Sequence, residues 1–358
     1  MTFSSDVTLA LGGRLWTGWQ EVTASAGLEQ GAGVFTLSFR ARSPDGSRLP
    51  GAVGQGARCR LDLAGETVIT GWVDEVTRQI EDQALSLTGR DAAGDLIDCS
   101  AASQPGEWHG VSLTEIAAAL AAPFGVPVAA RVDVGAPFGR FRVQEGETVW
   151  AAIERACRQR AVLPVSDGLG GLVLTSAEVA GAATVRLTDR ALKSDWRVVD
   201  SGTGRFSEIT VKGQAPGSDD VWGEPTAAIS GRAIDPGVRR HRPLTVLSEE
   251  PTDATAATLR AAWEVRVRRG RGLRASGTVA GWTTGGVGGG GALWRPGQRV
   301  VLDSARLEIT RELLIAAVEW RKGLKDGTVT RLELVPPDAL ARIAEGGEAD
   351  IEDGGFWE

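Results

Sequence analysis

The chain has 358 residues, 42% of them apolar and 24% charged, with a net charge of −7. That length exceeds one ordinary domain and predicts two or three, and the balance of apolar to charged residues is that of a folded chain. The acidic excess argues against a nucleic-acid-binding surface as the main function, since neutralising phosphate needs clustered Lys and Arg.

The 48 glycines suit many tight β-turns better than a helical bundle, and the chain opens accordingly. Residues 7–11, 15–24 and 33–40 read as three strands separated by Gly pairs and a polar turn. Trp16 and Trp19 near the first hairpin are read as cross-strand packing rather than a binding platform. Strands at 57–63, 67–76 and 84–89 complete a barrel or tightly curved sheet, and residues 91–100 make a short turn or helix leading out of it.

The character changes over 101–185. Ser112-Leu-Thr-Glu115 is a capping box that opens a helix to about Ala122, where Pro123 stops it. A strand follows at 126–130, and the run from Phe141 to Trp150 enters a second helix with Trp150, Ile153 and Cys157 on one stripe. A hairpin at 162–165 and 172–175 turns around Asp167-Gly168. This α/β insert also resembles a LysM peptidoglycan-binding motif through Val143-x-x-Gly146-Glu147-Thr148-Val149. The same residues equally suit any strand, Gly turn and capped amphipathic helix.

Residues 186–250 give strand-like pieces, notably Glu208 to Gly213, broken by the polar loop 214–222. A helix is predicted at about 252–269, with Leu259, Ala262, Trp263, Arg266 and Val267 along one face and Arg268, Arg269 and Arg271 at its end, where cations favour the helix dipole. From Arg274 to Pro337 the chain is a β-meander. Strands end at Trp282, run over 300–302 and 313–320, and alternate with period two over 329–335. The tail 341–358 is acidic and Gly-rich, with Phe356 and Trp357 apolar enough to dock on a neighbour.

Little points to catalysis. His109 and His241 have no second His, Cys or carboxylate at ligand spacing, so no metal or general-base site is indicated. Cys59, Cys99 and Cys157 are odd in number and lack CxxC spacing, indicating neither disulfides nor zinc. Residues 285–291 (GGVGGGG) lack the Gly-Lys-Ser/Thr of a phosphate loop and read as a hairpin tip. Asp74-Glu75, Asp219-Asp220 and Glu249-Glu250 are adjacent in sequence, which places them on opposite strand faces or in turns and gives no glycosidase pair. The N-terminus has no basic, apolar signal pattern and no long apolar run exists, so neither signal peptide nor membrane span is expected.

One internal repeat stands out. Gly56-Ala-Arg58-Cys-Arg-Leu61-Asp62 mirrors Gly297-Gln-Arg299-Val-Val-Leu302-Asp303, and each copy continues with a turn, an apolar strand, a charged turn and an alternating strand. Matching order over about forty residues points to two related β-modules. The runs 71–101 (GWVDEVTRQIEDQALSLTGRDAAGDLIDCSA), 141–175 (FRVQEGETVWAAIERACRQRAVLPVSDGLGGLVLT) and 292–340 (ALWRPGQRVVLDSARLEITRELLIAAVEWRKGLKDGTVTRLELVPPDAL) together resemble the baseplate hub proteins of Mu-like contractile-tailed phages, the tail protein P family. The expected fold is mainly β with an α/β insert: two related tube-type β-barrel modules plus a small α/β domain. Its expected parts are 1–100 (first module), 101–185 (insert), 186–340 (second module, with the helix) and 341–358 (tail).

The resemblance implies a trimeric ring below the tail tube and above the central spike, located in the virion and assembled in the host cytoplasm, with baseplate wedge or tape-measure proteins as neighbours. It implies no cofactor and no enzymatic activity. DNA passes through the lumen after the spike is released, and an acidic wall would keep a duplex from sticking. Three copies with two modules each present six similar units to the sixfold tube and three to the spike, the modules' edge strands pairing across subunits. Trp282, Trp294, Arg299, Asp303, Arg58, Asp62, Phe356 and Trp357 are the candidate interface residues. A peptidoglycan-binding or cell-wall-degrading tail component, with the insert as glycan module, is the alternative.

Overall fold

The computed structural model describes residues 6–40, 54–80, 84–101, 106–177, 183, 185–213, 229–248, 254–287 and 290–343. The acidic end with Phe356 and Trp357, the loop 214–222 and the pairs Asp219-Asp220 and Glu249-Glu250 lie outside them.

Seven strands build the first half: β1 (Val7–Leu11), β2 (Arg14–Trp16), β3 (Glu21–Gly27), β4 (Val34–Arg40), β5 (Arg58–Leu63), β6 (Glu66–Arg78) and β7 (Ala84–Asp91). Their period-two patterns are met, with every second residue of β5 and β7 buried. The strand expected at 15–24 is two strands, because Gly18 turns the backbone at φ 82°. Trp19 there is buried and donates its indole N–H to the Trp16 carbonyl at 3.1 Å, so it packs rather than forming a platform.

The insert follows: α1 (Gly94–Asp98), β8 (Glu107–Val111), α2 (Leu113–Ala121), β9 (Val128–Ala130), β10 (Phe138–Arg142), α3 (Val149–Arg158), β11 (Leu163–Ser166) and β12 (Leu172–Thr175). Ser112 and Glu115 cap α2 reciprocally, and the Thr148 hydroxyl accepts the Ala151 N–H to start α3. This unit has its own core, including Ile116, Leu120, Phe141, Ile153, Cys157 and Leu174.

The remainder comprises β13 (Val185–Thr188), β14 (Arg197–Asp200), β15 (Glu208–Gly213), β16 (Ile229–Ile234), β17 (Pro243–Leu247), α4 (Ala254–Gly272), β18 (Leu273–Ala280), β19 (Arg299–Ser304), β20 (Ile309–Gly323) and β21 (Gly327–Val335). Strands β15 to β17 form a separate three-stranded sheet under α4. A Cβ on Gly231 would lie 2.1 Å from the Thr258 nitrogen, so this glycine permits the close approach. The helix accordingly buries Ala257, Ala261, Glu264 and Val267, whereas Leu259 of the expected stripe is 63% exposed. Small residues at the crossing decide which face is inward, and bulk alone does not.

Among the described residues, all the other strands outside the insert join one sheet of thirteen. Its path runs β14-β18-β21-β20-β3-β4-β7-β6-β5-β1-β2, with β19 also on β20 and β13 on β19. Among the described residues the expected barrels are therefore not closed within the chain, because β20 spends its free edge on β3 instead of curling back within its own half. Inside this path the halves repeat: β3-β4-β7-β6-β5-β1 matches β14-β18-β21-β20-β19-β13 in order. The outermost pair differs, being antiparallel for β1 on β5 and parallel for β13 on β19.

The repeated Gly-x-Arg motif explains the likeness at atomic level. Gly56 and Gly297 sit at φ 75° and 85°, a backbone region costly to residues with a Cβ. From there Gly56 donates to the Val73 carbonyl at 2.8 Å and Gly297 to the Ile315 carbonyl at 2.9 Å. Val73 and Ile315 donate back to Ala57 and Gln298, and each is followed directly by a β-bulge. One core spans both halves, joining Leu9, Phe35, Leu61 and Leu87 to Leu302, Ile315, Trp320 and Leu332. Each such side chain stabilises by about 1.5–3 kcal/mol.

Replacing Gly56 with Val forces a β-branched residue into the left-handed region and is expected to lower unfolding free energy by at least about 1–2 kcal/mol. Gly54→Ala, with open space at its Cβ and no positive φ, should stay within about 0.5 kcal/mol. Urea unfolding of the two variants against the parent reads the difference.

Candidate assembly interface

The structure spreads the sequence-nominated residues over distinct environments. Trp282 and Trp294 are core residues, 3% and 2% exposed, and the Trp282 indole donates to the Arg321 carbonyl at 3.2 Å. Asp62 and Asp303 occupy matching places. Each accepts a threonine hydroxyl across its hairpin, from Thr67 at 2.7 Å and Thr310 at 2.9 Å, and each is paired to an arginine, Arg60 and Arg186. Arg186 and Thr310 hold the exposed Asp303 carboxyl below its usual range. Arg299 reaches Glu312 at 3.0 Å, and Arg58 is exposed. The two Asp–Thr pairs bridge the hairpin that both halves share.

The residues that join the units were not nominated. The halves meet where β3 lies antiparallel on the second part of β20, with Gly27 opposite Ala317, Ala26 opposite Val318 and Ala24 opposite Trp320. Leu28 extends the seam by donating to the Ala316 carbonyl at 2.8 Å. Ala24, Ser25, Ala26 and Gly27 form a run of small residues, a signal that β3 is approached closely, and a Cβ on Gly27 would stand 3.3 Å from that of Ala317. Arg295 adds a side-chain tie to Glu66 at 3.1 Å and to the Thr67 carbonyl at 2.9 Å.

The insert is fastened to the first half through Asp91, at the end of β7. Its carboxylate, 1% exposed, accepts from the Gly33 N–H at 2.6 Å, the Ala93 N–H at 3.0 Å and the Ser166 hydroxyl at 2.7 Å. Burial pushes the Asp91 pKa up to about 6 against the pull of those donors. Beside it Gly168, at φ 70°, accepts the Thr70 N–H at 2.7 Å, and a Cβ there would meet the Val68 carbonyl at 2.3 Å. A cleft of about 590 Å³ opens where the three units meet, with Leu28, Asp91, Arg131, Leu163, Ser166 and Arg295 among its walls.

Burial pushes the Cys59 and Cys157 thiols up to about 12, so both are inert core groups. The exposed His109 bonds Glu107, two residues before it on β8, at 2.8 Å. Among the described residues no group of three or more His, Cys, Asp or Glu side chains is placed to hold a metal, and no helix is long and apolar enough to cross a membrane.

An open, duplicated sheet thus carries two small satellite units, each with its own core. Comparison with known proteins gives the chain a family. Residues 6–91 match the N-terminal model of the Mu phage baseplate assembly protein GpP-like family, and 93–176 match the second domain of baseplate hub protein gp44-like proteins. Residues 205–262 match the third domain of the tail protein NMB1110-like family, and 253–342 match the fourth domain of the Mu phage baseplate assembly protein GpP. The baseplate hub protein gp44 of Escherichia phage Mu is 34% identical over 347 residues, 94% of this chain and 89% of that protein. The crystal structure of the 43 kDa tail protein of prophage MuSo2 from Shewanella oneidensis superposes with a TM-score of 0.80 at 32% identity, covering 94% and 99% of the two chains. A tail protein from Neisseria meningitidis MC58 shares the fold, with a TM-score of 0.75 at 23% identity over 94% and 99%. The chain belongs to the family of baseplate hub proteins of Mu-like phage tails, and its place is the baseplate of the virion tail.

Because the folded-state pKa of Asp91 lies above the ordinary carboxylate value of 3.8, the native state binds the extra proton. Its contribution to stability is full below about pH 4 and is lost as pH rises through about 6. The difference in unfolding free energy between the parent and Asp91→Asn should therefore shrink by up to about 3 kcal/mol from pH 4 to pH 7. Urea titrations across that range check the slope.

Proposed function

We propose that the protein is a non-enzymatic structural hub: three copies close a ring that adapts the sixfold tail tube to the threefold central spike and forms part of the DNA conduit. One observation carries this reading, the repetition of a six-strand path twice within one sheet. Three copies then supply six similar units, so a sixfold partner meets six near-equivalent surfaces while the ring keeps threefold symmetry. The barrel-like closure expected of each module belongs, on this reading, to the ring and not to the single chain.

Tail tube, spike and baseplate wedge or tape-measure proteins are the proposed neighbours, with Arg58 and the terminal Phe356 and Trp357 as candidate contacts. DNA passes without specific binding, consistent with the net charge of −7. The helix and turn that resemble a glycan-binding motif fall within residues 93–176, the part matching the hub's second domain.

Purified protein at micromolar concentration should sediment at three times the chain mass and show threefold rings with a central hole by electron microscopy. A stable, monodisperse monomer would overturn the ring. Incubation with purified cell wall should give no specific co-sedimentation, and saturable retention would favour the glycan-binding alternative.

A further inference from the structure

Strand β20 is used twice on one edge: its first part takes β19, and residues Ala317 to Lys322 take β3. Its counterpart β6 takes β5 over its first part, on the edge away from β7, and among the described residues no strand covers that edge from Glu75 onward. The counterpart of β3 is β14, which pairs with β18 on one side only and ends the sheet. Among the described residues, one half therefore offers a strand edge with no strand on it, and the other offers a terminal strand with no further neighbour.

Exposed apolar side chains lie at both edges: Val199 in β14 is 48% exposed and Ile80, just past β6, is 94% exposed. An uncovered edge with exposed apolar residues is a liability unless another strand occupies it.

We infer that β14 of one copy pairs antiparallel with the second part of β6 in the next, repeating between chains the β3–β20 seam within the chain. This rests on the ring reading above. The internal seam also fixes the register. Phe35 and Ala275 are equivalent, since they pair with Gly89 and Leu334, which pair in turn with Val73 and Ile315 at the two bulges. Their partners Ala24 and Val198 are thus equivalent, and Ala24 faces Trp320, whose counterpart in β6 is Arg78. Carrying the seam over places Val198 opposite Arg78 of the next copy, Val199 opposite Thr77, Asp200 opposite Val76 and Arg197 opposite Gln79. Three such junctions between chains alternate with the three inside them and close the sheet on itself.

The test is oxidative cross-linking of the full-length protein carrying Val199→Cys and Thr77→Cys, with the exposed Cys99 changed to Ser. Directly opposed antiparallel residues stand about 4.5–5.5 Å apart, within disulfide reach. The expected result is a predominant covalent trimer on a non-reducing gel. Each single-cysteine variant should stay uncross-linked. Val199→Cys with Glu75→Cys, displaced along the strand to about 7–8 Å, should give little product. If light scattering shows the three-chain mass but the displaced pair, or neither pair, is cross-linked, the strand assignment and register fall while the ring stands. A parent protein lacking the three-chain mass would instead bring down the ring reading itself. Melting temperatures near that of the parent confirm that the variants are folded.

Discussion

The structure depends on one backbone constraint: a strand has two edges, and β20, fifteen residues long, serves three partners with them. One edge is shared end to end by β19 and β3 while the other carries β21. The bulge between Ile315 and Ala317 lies where the first edge changes partner, bending the strand so that each neighbour keeps its hydrogen bonds. Buried amides and carbonyls must be paired, so the two halves cannot separate without stripping that ladder. The shared core behind it, with Trp320 almost wholly enclosed, would be exposed as well.

Around this seam the polar groups are joints. Asp91 fixes the first half to the insert, Arg295 fixes the second half to the first, and Arg342 reaches Glu154 on α3 at 3.6 Å. Arg205 and Asp235 pair at 2.9 Å, with Asp235 buried, and hold the turn leading from β16 to β17. Breaking one partner of such a pair leaves a buried charge unmatched, which costs more than the pair itself contributes. A body assembled this way resists relative motion of its parts, which suits a component that must hold its neighbours in fixed positions.

Much of the fold was legible in the sequence because it is written in local patterns. The capping box at Ser112, the alternation in β5, β7 and β21 and the paired Gly-x-Arg motifs each depend on neighbours a few residues away. The repeat was readable for a physical reason: a left-handed glycine followed by a bulge is a backbone requirement that few residues satisfy. Long-range partnerships were not readable. Nothing near β3 announces β20, almost three hundred residues away, except its run of small residues. The inward face of α4 was misplaced because Gly231, on a strand distant in sequence, decides it. Trp282 and Trp294, nominated as interface residues, lie in the core that both halves share.

The two halves differ in what hangs from them more than in their shared strand path. The first half continues from β7 directly into the insert at Gly94, whereas the second is interrupted between β14 and β18 by the unit of β15 to β17 and α4. The third flanking strand also diverges, antiparallel in one half and parallel in the other. The ladder order, the bulges and the glycine turns are alike in the two halves, while the connections carry unlike attachments. Hydrogen-bond order is difficult to vary piecemeal, because a one-residue slip turns every side chain to the opposite face. Loops tolerate insertion at little cost. A duplicated sheet is therefore suited to present like surfaces along its strands and unlike ones at its connections.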